Sequence, residues 1–266
     1  YFNQLNIPIG LVLLFLMGIG PLLSWNYTSK SVLLNRFKLP LSVSFLSGIG
    51  YMIFSSSFQI YVFVAIMGVS FTLSSILGEF YKSYKKQKKA SNFLHSIGKM
   101  FLSNRHKNGG YIVHIGIVLL FIGFIGRAFE VEKEFSLSPG EQIYFSNYVF
   151  KLNSIKSEAR DNHYAFLSEI DVVDSSTNQL LVNLKPEKRI YFYWNSDPEK
   201  RQPHSELDIY STIQKDIYSI FSGYDAQKNI GYFKIMINPL VNWVWIGGVL
   251  MVIGSLFAFW PSRRDN

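Results

Sequence analysis

Residues 109–127 read GGYIVHIGIVLLFIGFIGR, from Gly109 to Arg127. This stretch decides the fold. It is apolar almost throughout, and at ~1.5 Å rise per residue it is about long enough to cross a ~30 Å hydrocarbon core. Its body carries one ionisable residue, His114. A histidine at that depth loses water, so it faces protein, a cavity or a cofactor rather than lipid. Helical phase sharpens the reading. Gly109, Gly116 and Gly123 recur every seven residues and share one side. His114 lies two residues before Gly116, roughly 200° around an axis of ~3.6 residues per turn. The glycine side predicts close approach of a second helix. The opposite side presents His114 either to a neighbouring helix, as a neutral hydrogen-bonded imidazole, or to a site.

Working outward, four more apolar runs follow the same pattern: Pro8–Ser24, Leu41–Ser55, Ile60–Phe80 and Pro239–Trp260. Between them lie basic segments: Lys30, Arg36 and Lys38, then YKSYKKQKKA at 81–90 with Lys99, Arg105 and Lys107 beyond, and a terminal PSRRDN. Outside residues 128–238 there are 14 Lys/Arg against two acids, Glu79 and Asp265; inside that window there are 12 against 16. The formal net charge of +8 is therefore a property of short loops between spans. Short basic loops stay cytoplasmic, so the charge reports topology rather than a nucleic-acid surface. Every Lys/Arg beyond the window except Arg127 then falls on one side. The expected organisation is four transmembrane helices over 1–127 with a Lys-rich cytoplasmic loop at 82–108, an extracytoplasmic β domain at 128–238, a fifth transmembrane helix at 239–260 and a cytoplasmic tail at 261–266.

The 128–238 window reads as β structure. FSLSPGEQIYF and YVFKLNSI alternate apolar and polar residues around a turn at Pro139-Gly140. YAFLSEIDVV and QLLVNLKP flank DSSTN as a hairpin with a longer loop, and KRIYFYW, ELDIYSTI, DIYSIF and YFKIMI continue in short strands. Seven to nine strands in this length predict a small sandwich or barrel. The fold class is thus membrane α-helical, five spans, with an inserted extracytoplasmic β-rich domain.

Several chemistries have no residues to run on. Cysteine is absent, which removes disulfides, thiolate metal sites and thiol redox steps. The hydrolase and nucleotide motifs GxSxG, HExxH and the Walker loop are missing. No secretory leader with a basic start is present, and the chain begins at Tyr1, as expected for a processed product or a piece of a longer protein. Glu130, Glu132 and Glu134 alternate to one face at a strand start. Such carboxylates suit a cation, but a solvated sheet edge is the simpler expectation. His163 and His204 fall in polar stretches without a second metal ligand at useful spacing, and His95 and His106 fall in the basic segment as ordinary exposed residues. His114 remains. Neutral imidazole is an axial ligand for haem iron, and an apolar bundle with one inward histidine can hold a b-type haem. No other histidine lies inside a span, so a second axial ligand is expected outside this chain. Proton relay is the competing role, in a bundle with almost no other ionisable residue.

YFNQLNIPIGLVLLFLMGIGPLLSW, GGYIVHIGIVLLFIGFIGR, the LSPGEQIYF turn, PEKRIYFYW, HSELDIYSTIQKDIYSIF and INPLVNWVWIGGVLMVIGSLFAFWP resemble the carboxy-terminal part of CcmF-type cytochrome c maturation proteins. The resemblance follows nearly the whole chain in order, with GGYIVHIGI and NPLVNWVWIGG its most specific segments. It implies a haem lyase component in a bacterial-type cytoplasmic membrane, attaching haem covalently to CxxCH cysteines of apocytochrome c on the outer side. It implies a transmembrane b-type haem (haem b) that keeps the incoming haem iron reduced, with His114 at the position of one axial ligand. The family's other ligand, its tryptophan-rich haem-handling segment and its two flanking extracytoplasmic histidines belong to an amino-terminal part that this chain lacks. The implied partners are that amino-terminal half, other cytochrome c maturation subunits, a haem chaperone and apocytochrome c; the thioether-forming activity needs the assembled complex. No residue of this chain is assigned a catalytic role. The alternative expectation is a haem-free membrane scaffold that presents a β domain for partner binding.

Overall fold

The computed structural model describes residues 2–23, 29–55, 57–87, 104–192 and 203–260. The chain divides into two compact units, Tyr1–Ala128 with Leu240–Asn266, and Phe129–Pro239. His95, the end of the lysine-rich run beyond Gln87, Trp25 and the tail at 261–266 lie outside the described residues.

The first unit contains five helices: α1 (Phe2–Ile19), α2 (Lys30–Phe54), α3 (Ile60–Gln87), α4 (Arg105–Gly126) and α5 (Val241–Phe259). Each is long and apolar enough to cross a membrane. α1, α2 and α4 start before the apolar runs that announce them and α3 ends beyond its run, whereas α5 lies within its own. Pro8 lies inside α1 and Pro40 inside α2, so neither proline marks a start: each removes one ladder bond, and the remaining backbone groups still pair only within the helix. α4 starts earlier than Gly109 because the Asn104 side chain caps it, accepting from the Lys107 backbone N–H at 3.1 Å.

The α4–α5 pair is built on glycine. A Cβ placed on Gly116 would meet the Gly247 carbonyl oxygen at 2.7 Å, and one on Gly247 would meet the Gly116 oxygen at 2.5 Å. Gly109 lies as close to the backbone of Ala258, and Gly254 to the Val113 nitrogen at 2.8 Å. Gly123 abuts Val244. The heptad line read from the sequence is thus a surface of backbone contact with an antiparallel neighbour. α1–α3 use polar glue as well. Ser44 Oγ donates to Met67 O at 2.9 Å, Ser47 and Ser70 hydroxyls meet at 2.6 Å, and Thr72 Oγ1 donates to Leu14 O at 2.8 Å. Gly18 and Gly68 let α1 lie close against α3.

The second unit is a two-sheet sandwich. Its strands are β1 (Val131–Leu137), β2 (Gln142–Phe145), β3 (Tyr148–Ala159), β4 (His163–Asp174), β5 (Leu180–Leu184), β6 (Glu187–Tyr191), β7 (His204–Glu206), β8 (Asp208–Ser211), β9 (Lys215–Asp225) and β10 (Ile230–Pro239). One sheet runs β1-β10-β9-β8 and the other β2-β3-β4-β6-β7, with β5 also on β4. Ten strands among the described residues exceed the seven to nine expected, because ELDIYSTI divides into β7 and β8, which join different sheets. The architecture is the five-helix, β-sandwich fold expected. Residues of period two fill the centre: Phe233, Ile235 and Ile237 on β10, Ile217 and Phe221 on β9, and Phe150, Leu152, Ile170 and Val172 on β3 and β4 are all but inaccessible. The Pro139-Gly140 turn is a corner between sheets rather than a hairpin: β1 pairs β10 whereas β2 pairs β3. Gly140 takes φ +93° there, a conformation open to glycine. The DSSTN hairpin is present, with Asp174 accepting from the Ser176 and Thr177 backbone N–H groups.

Candidate functional site

On α4 a second heptad line, Lys107, His114 and Phe121, lies on the other side of the helix from the glycines. Its two ends are placed by their contacts. Lys107 Nζ reaches Glu79 Oε2 of α3 at 3.4 Å, one turn from an edge-to-face contact of Phe80 with Tyr111 at 5.4 Å between centroids. Phe121 lies against Gly10 of α1, its ring 3.5 Å from where a Cβ would stand. His114, midway between them, is therefore on the side of α4 that faces α3 and α1, as the glycine phase predicts.

The ring is half-buried, and its Nδ1 is buried without a hydrogen-bond partner. The neutral imidazole bonded to a neighbouring helix is thus not what the described residues provide. The contrast with the serines is direct. Ser70, Thr72, Ser74 and Ser75 of α3 all donate to backbone carbonyls. Among the described residues of the five helices, His114 Nδ1 is the one buried side-chain nitrogen or oxygen that bonds to nothing. An unmet polar atom in an apolar bundle costs about 1–3 kcal/mol, and neutral imidazole nitrogen is a donor that suits haem iron or another borderline metal. The residue present fits such a group.

The other candidates separate. His163 is not in a polar loop: it opens β4, is 8% exposed, and its Nδ1 pairs with Asn162 Oδ1 at 2.6 Å, leaving Nε2 buried and unpartnered. It touches Tyr191, which touches His204 in turn. His204 is likewise on a strand, opening β7, and is exposed. The hairpin register brought these two histidines to one tyrosine, which spacing alone did not reveal. Among the described residues no group of three or more His, Cys, Asp or Glu is placed to hold a metal ion. Glu132 and Glu134 flank Lys234 of β10, at 2.8 and 3.9 Å. The hydrogen bond to Glu132, with the charges of Glu134 and Glu130 beside it, holds the Lys234 ammonium above its ordinary range. β1 is the outer strand of its sheet, so the acidic trio is a charged edge, as the simpler expectation had it. His106 packs edge-on to Phe259. Glu79 entered the sequence reading only as a charge. It is the one acidic residue in the five helices, and that rarity was the available signal.

The chain is similar to known proteins over nearly its whole length. Residues 128–239 match a family described as the CcmF C-terminal beta-sandwich. Over 99% of its length the chain is 25% identical to the cytochrome c-type biogenesis protein CcmF of Haemophilus influenzae, and 23% identical to that of Pseudomonas aeruginosa. A probable cytochrome c-type biogenesis protein NrfE of Escherichia coli is 25% identical over 58% of the chain. The solved structure of the cytochrome c haem lyase CcmF superposes on 98% of the chain with a TM-score of 0.74 and 21% identity. The chain spans 39% of the Haemophilus relative and 40% of the solved lyase. The similarity to the carboxy-terminal part of CcmF-type proteins therefore holds from one end of the chain to the other, and the chain is a multi-pass membrane protein.

Proposed function

We propose that this chain is the carboxy-terminal portion of a cytochrome c haem lyase component, in which His114 is one axial ligand of a transmembrane b-type haem. The observation that carries the reading is a histidine within an apolar helix whose ring is bonded to no described residue, its Nδ1 being the one buried side-chain nitrogen or oxygen left unpartnered among the described residues of the five helices. The relatives' names supply the chemistry: cytochrome c biogenesis and haem ligation. A haem held there would supply one-electron chemistry, of the kind that keeps iron ferrous for attachment to apocytochrome c. The work of this chain's own residues is positional. The glycine line holds α4 against α5, which turns the opposite side of α4, with His114, toward α3 and α1. No hydrogen bond or ion pair from a described residue occupies the ring, which leaves the imidazole available as a ligand. A second ligand to such a haem would come from outside this chain.

The orientation follows from charge. The loop at 82–108 and the tail at 261–266 lie in the cytoplasm, and the β domain at 128–238 lies outside, where apocytochrome c is matured. The partners are the amino-terminal part of the lyase, the other maturation subunits, the haem chaperone and apocytochrome c.

The experiment is His114→Ala in the assembled complex. The expected result is loss of the b-type absorbance and of holocytochrome. Unchanged haem content with unchanged holocytochrome yield overturns the proposal and leaves a haem-free scaffold that presents its sandwich to partners.

A further inference from the structure

The described contacts that join the α4–α5 pair to α1–α3 are unevenly placed. At the basic end of the helices, Glu79 of α3 holds Lys107 of α4 at 3.4 Å and Lys82 at 2.9 Å, with Phe80 against Tyr111 alongside. The ammonium of Lys107 also stands over the Tyr111 ring, 5.4 Å from its centroid. At the other end Gln59 Nε2, just before α3, donates to Ala128 O, just past α4, at 3.3 Å. His114 lies between the two ends, seven residues or ~10.5 Å along α4 from Lys107, on the same heptad line. The helix pair is tied to the other three above and below the histidine, and the ring itself is left without a bond.

Glu79 is unusual on two counts. It is the single acid in the five helices, and its side chain is 13% exposed while that of Lys107 is 44% exposed. A carboxylate kept in an apolar bundle needs its cations, and an ionisable residue at such a position is a functional candidate by default. The pair adds nothing that a leucine contact would lack in packing. What it adds is direction: one oxygen of Glu79 fixes one nitrogen on the heptad line that bears His114. Rotation of α4 is then set from both sides, by glycine contact with α5 and by the ion pair with α3.

We infer that Glu79, through Lys107, is a positioning residue that fixes the rotation of α4 and so the plane in which the His114 imidazole meets its ligand. This rests on the haem-ligand reading of His114. The ring plane of an axial imidazole governs the g-anisotropy of oxidised low-spin haem, so geometry can be read apart from activity. The experiment uses the assembled complex, with electron paramagnetic resonance of the oxidised b-type haem. Glu79→Gln should keep the haem but shift or broaden its largest g value, and the exchanged pair Glu79→Lys with Lys107→Glu, made together with Lys82→Gln to remove the second cation that Glu79 holds, should restore it. If Glu79→Gln does not accumulate, Lys107→Gln, which leaves Glu79 with Lys82, is read in the same way. A g value identical to that of the unaltered complex overturns the inference, and so does a shift that the exchanged pair leaves in place. Retention of haem in His114→Ala defeats the ligand reading itself, a different outcome from haem lost in that variant with Glu79→Gln unaltered.

Discussion

The helical unit and the sandwich are both tightly packed, by opposite means. Where α4 meets α5 the obstacles to a larger residue are backbone atoms: the Gly247 oxygen for Gly116, the Ala258 backbone for Gly109, and the Val113 nitrogen for Gly254. In the sandwich the centre is large side chains. Phe150, Phe221 and Phe233 are essentially inaccessible, and the rings of Phe221 and Phe233 stack 4.9 Å apart. Even the tight sandwich glycine, Gly231, is closed by the side chains of Phe233 and Ile155 rather than by backbone. The difference follows from the solvent. Water drives apolar area together, so bulk stabilises a sandwich. Lipid offers no such drive, and helices associate through close contact and hydrogen bonds, so the absence of bulk is what stabilises the pair.

The sharpest way to break this contrast is to exchange the rules. Gly247→Leu, or Gly116→Leu, should have the largest effect, because the obstruction is backbone and no side chain can move aside. The expected result is loss of the folded protein from membranes, measured as detergent-extractable protein at equal transcript level. The reverse exchange comes next. Phe221→Ala opens the sandwich centre and should cost about 3–5 kcal/mol, read from the thermal unfolding of the β unit in the full chain. Truncating Phe54, which is 89% exposed on α2, should leave unfolding in detergent unaltered. If Phe221→Ala is tolerated and Phe54→Ala is not, the two units do not differ in the way argued.

A finer test uses the glycine pairs. Gly109-Gly110 and Gly247-Gly248 are identical as dipeptides, yet only Gly109 and Gly247 lie against the neighbour; a Cβ on Gly110 or Gly248 meets nothing within 4 Å. Alanine at 248 should stabilise the helix by up to about 1 kcal/mol, whereas alanine at 247 should destabilise it by about 1–3 kcal/mol, both measured as the shift in unfolding midpoint in detergent. Smaller still is the polar glue between α2 and α3. Ser47→Ala removes one partner of the 2.6 Å contact with Ser70 and should cost about 0.6 kcal/mol.

These glycines also mark what was legible in the sequence. The seven-residue recurrence of Gly109, Gly116 and Gly123 identified the close face, and the same phase set His114 on the other side, because a helix turns by a fixed angle per residue. The five helices were legible for a related reason: lipid forces long uninterrupted apolar runs. The sandwich strands were legible by period two, but their partners were not, because pairing is decided by corners such as Pro139-Gly140 that move the chain between sheets. The meeting of His163, Tyr191 and His204 depends on that pairing and could not be read from spacing. The role of Glu79 was hidden for another reason. Its partner Lys107 lies 28 residues away in a stretch that reads as one of many exposed lysines, and only the packing of α3 on α4 singles it out.

The smallest expected effect lies at the water-facing extreme of the comparison, in the β4–β5 turn. The Asp174 carboxylate accepts from the Ser176 hydroxyl at 2.6 Å and from the Ser176 and Thr177 backbone N–H groups at 2.8 and 3.1 Å. These bonds, that of the Ser176 hydroxyl foremost, hold its pKa below the ordinary carboxylate value. A group whose folded pKa is lowered contributes stability that is complete above its unfolded value and is lost as pH falls through the folded one. Acidification should therefore loosen this turn, and Asp174→Asn should remove the pH dependence while leaving a neutral acceptor in place. Exchange of the Ser176 and Thr177 amides in the full chain, corrected for the intrinsic effect of pH on exchange, measures it. Protection that falls on acidification in the unaltered chain and stays flat in the variant is the expected result; parallel curves would mean that the carboxylate does not hold the turn. Ser47, half-buried between α2 and α3, bonds among the described residues only to Ser44 and Ser70, so the α2–α3 contact should show no corresponding acid dependence over the same range.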